Sequence, residues 1–259
     1  MEEEPKKENN QLPFNVKDLV DSHISEMHME YHKFFELKNE PNKIIRVESS
    51  DELKTKHNNK LEIAELVEIA SRLYKELEEK YGIFVPTDFF VGKDKEGKDV
   101  VFSVVDKISG KHLGEVEKSK EAAAQVESLY TSVAKYFLDK YKDGGLYLWD
   151  ICGESQYIYG RKSNGNEDKI YLIDTDIWLN NSRTGMYLVV YWLTRHMSGA
   201  ERDFNTQFNE ARNYIKQFID QPLPKNISET DMKNVDGIKS FLNNVKSDYN
   251  PKSAIPTFE

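Results

Sequence analysis

Two aspartates close a short apolar run near the middle of the sequence. The stretch KIYLIDTDIWL covers residues 169 to 179, and Asp174 and Asp176 stand one residue apart where the run ends. Carboxylates are costly to bury unless a positive group meets them. A metal ion or a metal-bound phosphate would meet that need, whereas a surface turn at a strand end favours aspartate for its short hydrogen-bonding side chain. The sequence leaves these interpretations open.

A third carboxylate, Asp150, lies in the stretch LYLWDICGESQ, after an apolar pair and before Ile151. Its chemical role depends on whether the fold brings it to face Asp174, because an isolated aspartate at this place is equally typical of a turn. The neighbouring Cys152 has no obvious base beside it, so we do not expect it to be a reactive thiol.

Composition narrows the class of protein that must position these groups. The chain has 259 residues, of which 38% are hydrophobic and 12% aromatic, as in a folded globule. Its 36 basic and 45 acidic residues give a net charge of -9, which disfavours nucleic acid as a partner. The single cysteine suits a reducing compartment, and neither a signal-like segment nor an apolar run of spanning length is present. We therefore expect a cytoplasmic protein without a membrane partner.

Apolar periodicity predicts two long helices. In the first, from Lys60 to Tyr81, apolar residues recur at intervals of three and four, and Gly82 ends it. The second runs from about Lys120 to Tyr141. Between them, FVPTDFFVGKDKEGKDVVFSVVD predicts two strands around a polar turn. Everything after Thr184 is predicted to be helical, including a last helix from about Ser228 with the capping sequence S-E-T-D.

Three regions follow from this pattern. Residues 1–15 are predicted to be a disordered tail, residues 16–109 a unit of strands and one main helix, and residues 110–259 a mainly helical unit. The boundary falls in a loop predicted at Ser109 and Gly110. Three histidines near the start are more simply explained as partly exposed residues than as metal ligands. They are His23, His28 and His32.

The order of these elements resembles the protein kinase-like fold, including its bacterial small-molecule phosphotransferase branch, over roughly residues 20 to 220. The resemblance implies an α+β, bilobal protein with a small mixed N-terminal lobe and a mainly helical C-terminal lobe. It also implies ATP and Mg²⁺ as cofactors, and a small molecule or a protein as phosphoryl acceptor.

The resemblance also implies roles for individual residues. Asp150 would be the catalytic base, and Asp174 would correspond to the metal-binding aspartate of D-F-G. Asp176 and the amide oxygen of Gln156 would complete the magnesium ligands.

In the N-terminal region, the segment from Val104 to Ile108 would contact the adenine through its backbone. The KIIRV strand would supply the basic residue that pairs with a glutamate of the first long helix. Arg46 shares a strand face with Ile44 and is one choice, and Lys43 is the alternative. The remaining predicted cofactor-binding residues are Glu65, Glu68, Val105 and Lys107.

Several features depart from the kinase signature. No glycine occurs from Met1 to Tyr81, so a glycine-rich phosphate loop is missing. No histidine precedes Asp150, and Ser155 stands at the asparagine position. The sequence therefore predicts an ATP- and Mg²⁺-dependent phosphotransferase, with a catalytically inactive, pseudokinase-like module that binds a nucleotide or a partner as the alternative.

A second enzyme class also has a sequence motif of this kind. The run YLIDTD resembles the D-x-D strand of haloacid dehalogenase-like phosphatases, in which the first aspartate would be the nucleophile. That family needs further strands for a parallel sheet, whereas the residues after the aspartates here are predicted to be helical. The kinase-like interpretation is favoured for this reason.

Overall fold

The protein is described by a computed structural model that covers residues 12–21, 33–56, 61–163 and 165–244. Within these ranges it is a mixed α/β structure with antiparallel sheets and six α-helices. Residues 1–11 of the predicted tail lie outside the described residues, as do His23, His28 and His32. The bilobal arrangement remains a prediction.

An antiparallel sheet of five strands forms the first part of the chain, in the order β1-β2-β3-β5-β4. Its middle strand is the predicted KIIRV strand, extended at both ends, and its last two strands are the predicted hairpin. The strands are β1 (Leu19–Asp21), β2 (Lys33–Leu37), β3 (Glu40–Ser49), β4 (Thr87–Lys93) and β5 (Asp99–Asp106).

Alternation along β3 separates its side chains onto two faces of the sheet. Ile45 packs with Phe102 and Val104 in a small hydrophobic cluster on one face. Arg46, the next residue, points to the other face and is 5% exposed. The sheet thus places a guanidinium on the side where the main core of the molecule lies.

Two helices follow β3: α1 (Ser50–Lys56) and α2 (Ile63–Tyr81). The apolar stripe of α2 is buried, as its periodicity predicts, although the helix begins three residues later than expected. Gly82 ends α2 in the left-handed conformation at φ 68°, where its amide donates to Glu78 O.

The second half of the chain contains four helices: α3 (Lys120–Asp143), α4 (Gly185–Asp203), α5 (Asn209–Ile219) and α6 (Glu229–Asn243). Ser119 caps α3 by accepting the Ala122 amide, and Ser228 caps α6 by accepting the Asp231 amide. Three separate helices thus follow Thr184 in the described part of the chain, as predicted, whereas residues 245–259 lie outside the described residues.

Five short strands connect the two parts. A three-stranded sheet has the order β6-β8-β9, and a two-stranded sheet pairs β7 with β10. These strands are β6 (Ile108–His112), β7 (Tyr147–Leu148), β8 (Tyr157–Lys162), β9 (Lys169–Leu172) and β10 (Leu179–Asn180).

The loop predicted at Ser109 and Gly110 is wrong, because both residues lie within β6. Gly110 faces Gly160 across the β6–β8 ladder. A Cβ atom built on Gly110 would lie 2.2 Å from the carbonyl oxygen of Tyr159, so the two backbones approach too closely for any side chain. The glycine therefore marks a close approach of strands, and the boundary predicted after residue 109 falls inside a strand.

The main hydrophobic core is continuous from α2 through α3 to α6. A smaller cluster lies on the opposite face of the five-stranded sheet. Part of the predicted tail contributes to this cluster, because Phe14 packs edge-on against Phe102 with ring centroids 5.5 Å apart. Leu12 and Phe14, at the end of the predicted tail, thus pack their apolar side chains against the sheet.

Among the described residues, none of the helices combines the length and hydropathy required to cross a membrane.

Candidate functional site

The two aspartates lie in an irregular segment that follows β9 and is held by main-chain hydrogen bonds. The amides of Ile173 and Asp174 both donate to the carbonyl oxygen of Gln156, at 2.9 and 3.4 Å. The Trp178 amide donates to Asp176 O at 2.8 Å. This segment is called the DTD segment below and comprises residues 173–178.

Arg46 lies against the DTD segment and contacts three oxygens of it. Its Nη1 donates to Asp176 Oδ1 at 2.7 Å and to Asp174 Oδ1 at 3.3 Å. Its Nη2 donates to the carbonyl oxygen of Thr175 at 2.7 Å. A planar guanidinium presents several donors in a fixed geometry, which suits this arrangement better than a single ammonium would. The positive group that meets the two aspartates is therefore the Arg46 guanidinium.

Burial differs sharply within this ion-pair cluster. The Arg46 side chain is 6% exposed, Asp176 is 22% exposed and Asp174 is 49% exposed. The Nε atom of Arg46 is buried and forms no hydrogen bond with any of the described residues. The cluster is thus closed on the side of the sheet and open to solvent on the side of Asp174.

Tyr74 on α2 completes the site from the helix side. Its hydroxyl donates to the carbonyl oxygen of Asp176 at 2.8 Å, and its ring stacks on Phe89 at 5.3 Å. Burial raises the pKa of this hydroxyl well above its usual range, and the Arg46 charge opposes that change. Sequence reasoning missed Tyr74, because an aromatic residue on the apolar stripe of a helix is indistinguishable from core.

The ion pair predicted between Arg46 and a glutamate of the helix is wrong. Glu65 and Glu68 are both exposed on α2, and Tyr74 is the α2 residue that reaches the DTD segment. Lys43 lies on the other face of β3, where its Nζ is 3.7 Å from Asp106. Of the two basic candidates on the strand, only Arg46 is brought to the aspartates.

Asp150 is half-buried near the same cluster. Burial raises the pKa of its carboxyl group, and the negative charge of Asp176 adds to that effect. A hydrogen bond from the Gln156 side chain and the nearby His196 act in the opposite direction. Burial lowers the pKa of His196, which lies on α4 and was not predicted from the sequence. The fold thus brings Asp150 close enough to Asp176 for their charges to interact.

Gln156 holds the loop around Asp150. Its side chain is buried, and its Oε1 atom accepts the Gly153 amide at 2.8 Å while its amide group bonds to Asp150. The amide oxygen predicted to bind magnesium is therefore engaged by the main chain. We interpret Gln156 as a positioning residue for Asp150.

The DTD segment does not fit a magnesium ion in this arrangement. Carboxylate oxygens are the ligand type that Mg²⁺ prefers, but the Arg46 guanidinium contacts both carboxylates. Across the described ranges, no group of three or more histidine, cysteine, aspartate or glutamate side chains is arranged to hold a metal. The chemistry of the wild-type site is therefore that of an ion pair between protein groups.

In the segment from Val104 to Ile108, predicted to contact adenine, two main-chain amides are already hydrogen-bonded within the protein. The Asp106 amide donates to Pro86 O at 2.9 Å, and the Lys107 amide donates to Asn42 O at 2.7 Å. The Lys107 ammonium lies 2.9 Å from Glu36, and Val105 is paired within the sheet. These contacts leave the backbone donors of Asp106 and Lys107 satisfied within the protein.

A groove of about 1150 Å³ lies elsewhere, between α1, the first turn of α2 and the turn that joins β4 to β5. Arg46, Asp150 and the DTD segment are not among the described residues that line it. The candidate site is therefore identified by its charges and contacts rather than by the size of a cavity.

No protein-family model matches the chain, and no curated protein matches its sequence. Among solved structures, the chain is similar to the bifunctional kinase-methyltransferase WbdD, at 10% sequence identity and a TM-score of 0.39. The match covers 84% of this chain and 50% of that chain, so the chain spans about half the length of WbdD. This similarity is weak, and contacts within the chain are the stronger guide to its function.

Proposed function

We propose that the chain is a kinase-like protein whose site functions in binding and not in phosphoryl transfer. The observation that carries this proposal is the contact of Arg46 with Asp174, Thr175 and Asp176. These two aspartates are the metal ligands that the kinase-like resemblance implies. A buried guanidinium neutralises them without a metal.

Kinase catalysis depends on two contacts, a strand lysine with a helix glutamate and a D-F-G aspartate with magnesium. In this chain the basic residue of the third strand is an arginine that pairs with the aspartates themselves. Both contacts are thus replaced by a single internal ion-pair cluster. This replacement supports a binding role over a catalytic one.

The surroundings of the site also disfavour a bound nucleotide. The sequence has no glycine before Gly82 to provide a flexible phosphate-binding loop. The amides of Asp106 and Lys107 are engaged by main-chain carbonyls. Of the two ligands considered for the inactive module, a protein partner is therefore the better supported.

An exposed tryptophan at the end of the DTD segment supports the same choice. Trp178 is 43% exposed and its ring lies 6.3 Å from that of Trp149. Exposed tryptophans are frequent anchors in protein interfaces. We assign this tryptophan pair as part of the partner-binding surface.

Phosphoryl transfer is the second candidate, and the environment of Asp150 favours it. A half-buried carboxylate with a raised pKa is a typical general base, and Asp150 lies near Asp176. In this case Asp150 would accept the proton of the acceptor hydroxyl. Arg46 would then have to leave the aspartates before a nucleotide-bound metal reached them.

Thermal unfolding with ATP, in the presence and absence of Mg²⁺, separates the two functions, because a ligand of the native state raises the midpoint. The binding role predicts no magnesium-dependent shift and no release of phosphate from ATP. A magnesium-dependent shift that is lost in Asp174→Asn but kept in the surface control Asp203→Asn would overturn the proposal. Loss of phosphate transfer in Asp150→Asn would then support the second candidate.

A further inference from the structure

We infer that a groove between α2 and the outer edge of β4 is a peptide-binding site, in which an extended, basic segment of a protein partner pairs with β4 as a further strand of the sheet. The groove has a volume of about 310 Å³. Neither Arg46 nor Trp178 is among the described residues that line it, so this inference goes beyond the function proposed above.

The two walls of this groove, called the α2–β4 groove below, are a helix face and a strand edge. Ser71, Tyr74, Lys75 and Glu78 line one wall, at positions three and four residues apart that share one face of a helix. Residues 87–90 line the other wall. Because successive side chains of a strand point to opposite faces of the sheet, a lining of four consecutive residues means that the groove runs along the edge of β4.

The outer edge of β4 presents main-chain groups that the sheet does not use. In the sheet order β4 is the last strand, and it pairs with β5. At the two ends of this ladder the Asp106 amide donates to Pro86 O, and the Asp94 amide donates to Lys98 O. Hydrogen-bonded and non-hydrogen-bonded pairs alternate in an antiparallel ladder.

This alternation makes the amides and carbonyls of Thr87 and Phe89 point away from β5. Within the described ranges, no main-chain group outside the sheet hydrogen-bonds to them. Free strand edges bind extended peptides, whose main chain continues the ladder while alternate side chains contact the flanking surfaces. Here α2 supplies such a flanking surface, and the stacked rings of Tyr74 and Phe89 give the groove an apolar part.

The charges that line the groove favour a basic segment. Glu78 on α2 and Asp88 on β4 are both exposed, and neither forms an ion pair within the part of the chain that the structure describes. The third charged group, the Lys75 ammonium, lies 3.6 Å from Glu79, which offsets its charge.

The two carboxylates flank the path of the peptide from opposite sides. Tyr74 on α2 stacks on Phe89, so Glu78 lies on the side of the sheet to which Phe89 points, whereas Asp88 points to the other side. Successive side chains of an extended peptide also alternate between the two sides. Two consecutive basic residues in the partner would therefore each meet one carboxylate.

The first test measures the binding of labelled hexapeptides to the whole chain by fluorescence polarisation at low ionic strength. We expect Thr-Val-Arg-Lys-Val-Thr to bind and its acidic counterpart Thr-Val-Glu-Glu-Val-Thr not to bind. The double variant Glu78→Lys, Asp88→Lys should weaken binding of the basic peptide by about tenfold or more, because both contacts become repulsive. The matched control Glu65→Lys, Glu68→Lys makes the same change of net charge on α2 outside the groove, and its affinity should stay within about twofold of wild type.

The second test asks whether the bound peptide pairs with the strand edge. At saturation the basic peptide should slow hydrogen exchange of the Thr87 and Phe89 amides, measured by NMR, and should leave exchange of the Asp88 and Phe90 amides unchanged. N-methylation of the peptide at alternate residues blocks the donors on one side only. One of the two alternately methylated peptides should therefore lose binding, and the other should keep it.

The inference is overturned if the basic peptide does not bind, if the acidic peptide binds equally well, or if the double charge reversal leaves the affinity unchanged. Equal exchange of the Thr87 and Phe89 amides with and without the peptide would also overturn it. Protection of these amides that grows with protein concentration in the absence of peptide would assign the edge to a second copy of this chain instead.

These outcomes are separate from the role of the DTD segment. Tyr74 and Thr87 line the groove and also bind that segment, so neither is changed in the variants. Phosphate transfer from Mg²⁺-ATP would overturn the binding role proposed above and would leave the peptide measurements unaffected.

Discussion

Two arginines of this protein form largely buried ion pairs of different construction. Arg212 on α5 binds one carboxylate, Glu201 on α4, with Nε at 2.7 Å and Nη2 at 2.6 Å. Its Nη1 donates to Phe241 O on α6. Arg46 instead divides its donors between two carboxylates and a carbonyl, and its Nε forms no hydrogen bond within the described part of the chain.

The difference indicates different roles. Glu201 is 8% and Arg212 12% exposed, and Glu201 also accepts the Phe208 amide, so this pair is enclosed and joins three helices. The Arg46 cluster joins β3 to the DTD segment and is open to solvent at Asp174. A closed, bidentate pair is typical of a structural contact, whereas an open one with an unsatisfied donor is typical of a site.

The largest predicted effect is on the closed pair. Arg212→Ala should lower the free energy of unfolding by about 3–5 kcal/mol, because it leaves the buried Glu201 carboxylate without its partner. Urea unfolding measures this value. Lys216→Ala, on the exposed side of the same helix, should cost less than about 1 kcal/mol. If both variants lost a similar amount of unfolding free energy, the Arg212–Glu201 pair would not be a special source of stability.

Substitutions in the Arg46 cluster should lower the free energy of unfolding by less, and by different amounts at Asp176 and Asp174. Asp176→Asn should cost about 1–3 kcal/mol, because the Asp176 carboxylate is the closer and more buried partner of Arg46. Asp174→Asn should cost less than about 1 kcal/mol, because its side chain is half-exposed. The comparison uses urea unfolding of both variants at one pH, and the reverse order would contradict the geometry.

A smaller effect is expected at the helix side of the cluster. Tyr74→Phe removes the hydroxyl that donates to Asp176 O but keeps the ring that stacks on Phe89. The expected loss is about 1 kcal/mol by urea unfolding. Tyr191→Phe is the control, since the one hydrogen bond of its hydroxyl within the described ranges is a long 3.5 Å contact from Arg195. Equal losses of stability in the two variants would show that the Tyr74 hydroxyl does not stabilise the DTD segment.

The smallest effect concerns pH. Burial raises the pKa of Asp150 in the folded state, so the folded protein holds this proton more tightly than the unfolded chain. The contribution of Asp150 to stability is therefore present below its ordinary pKa of about 4 and is lost as pH rises through the raised value. Asp150→Asn removes this dependence. Its stability relative to wild type should increase with pH across that range, and a constant difference would contradict the assignment.

The sequence predicts the long helices well, because α2 and α3 bury stripes with a clear period of three and four. It fails at β6, where Gly110 has the composition of a turn but lies in a strand because Gly160 faces it. That information is in a residue far along the chain and not in the local pattern.

The site was predictable in its parts but not in its pairing. Asp174, Asp176 and Arg46 are each recognisable from their place beside apolar strands. Their contact joins residues 128 and 130 positions apart, and no periodicity encodes such a distance. From the sequence, a glutamate on α2 is therefore the more plausible partner of Arg46. In the structure, α2 instead contributes Tyr74, whose hydroxyl binds Asp176 O.

Because β6 crosses the predicted boundary after residue 109, the protein should not separate into two stable fragments there. A backbone cut after Ser109 would leave Ile108 and Ser109 on one fragment and the rest of the β6 ladder on the other. The continuous core from α2 to α6 would be split as well. Each fragment would expose an apolar surface that fits the other, so the two pieces should be insoluble when produced separately and should reassociate when produced together.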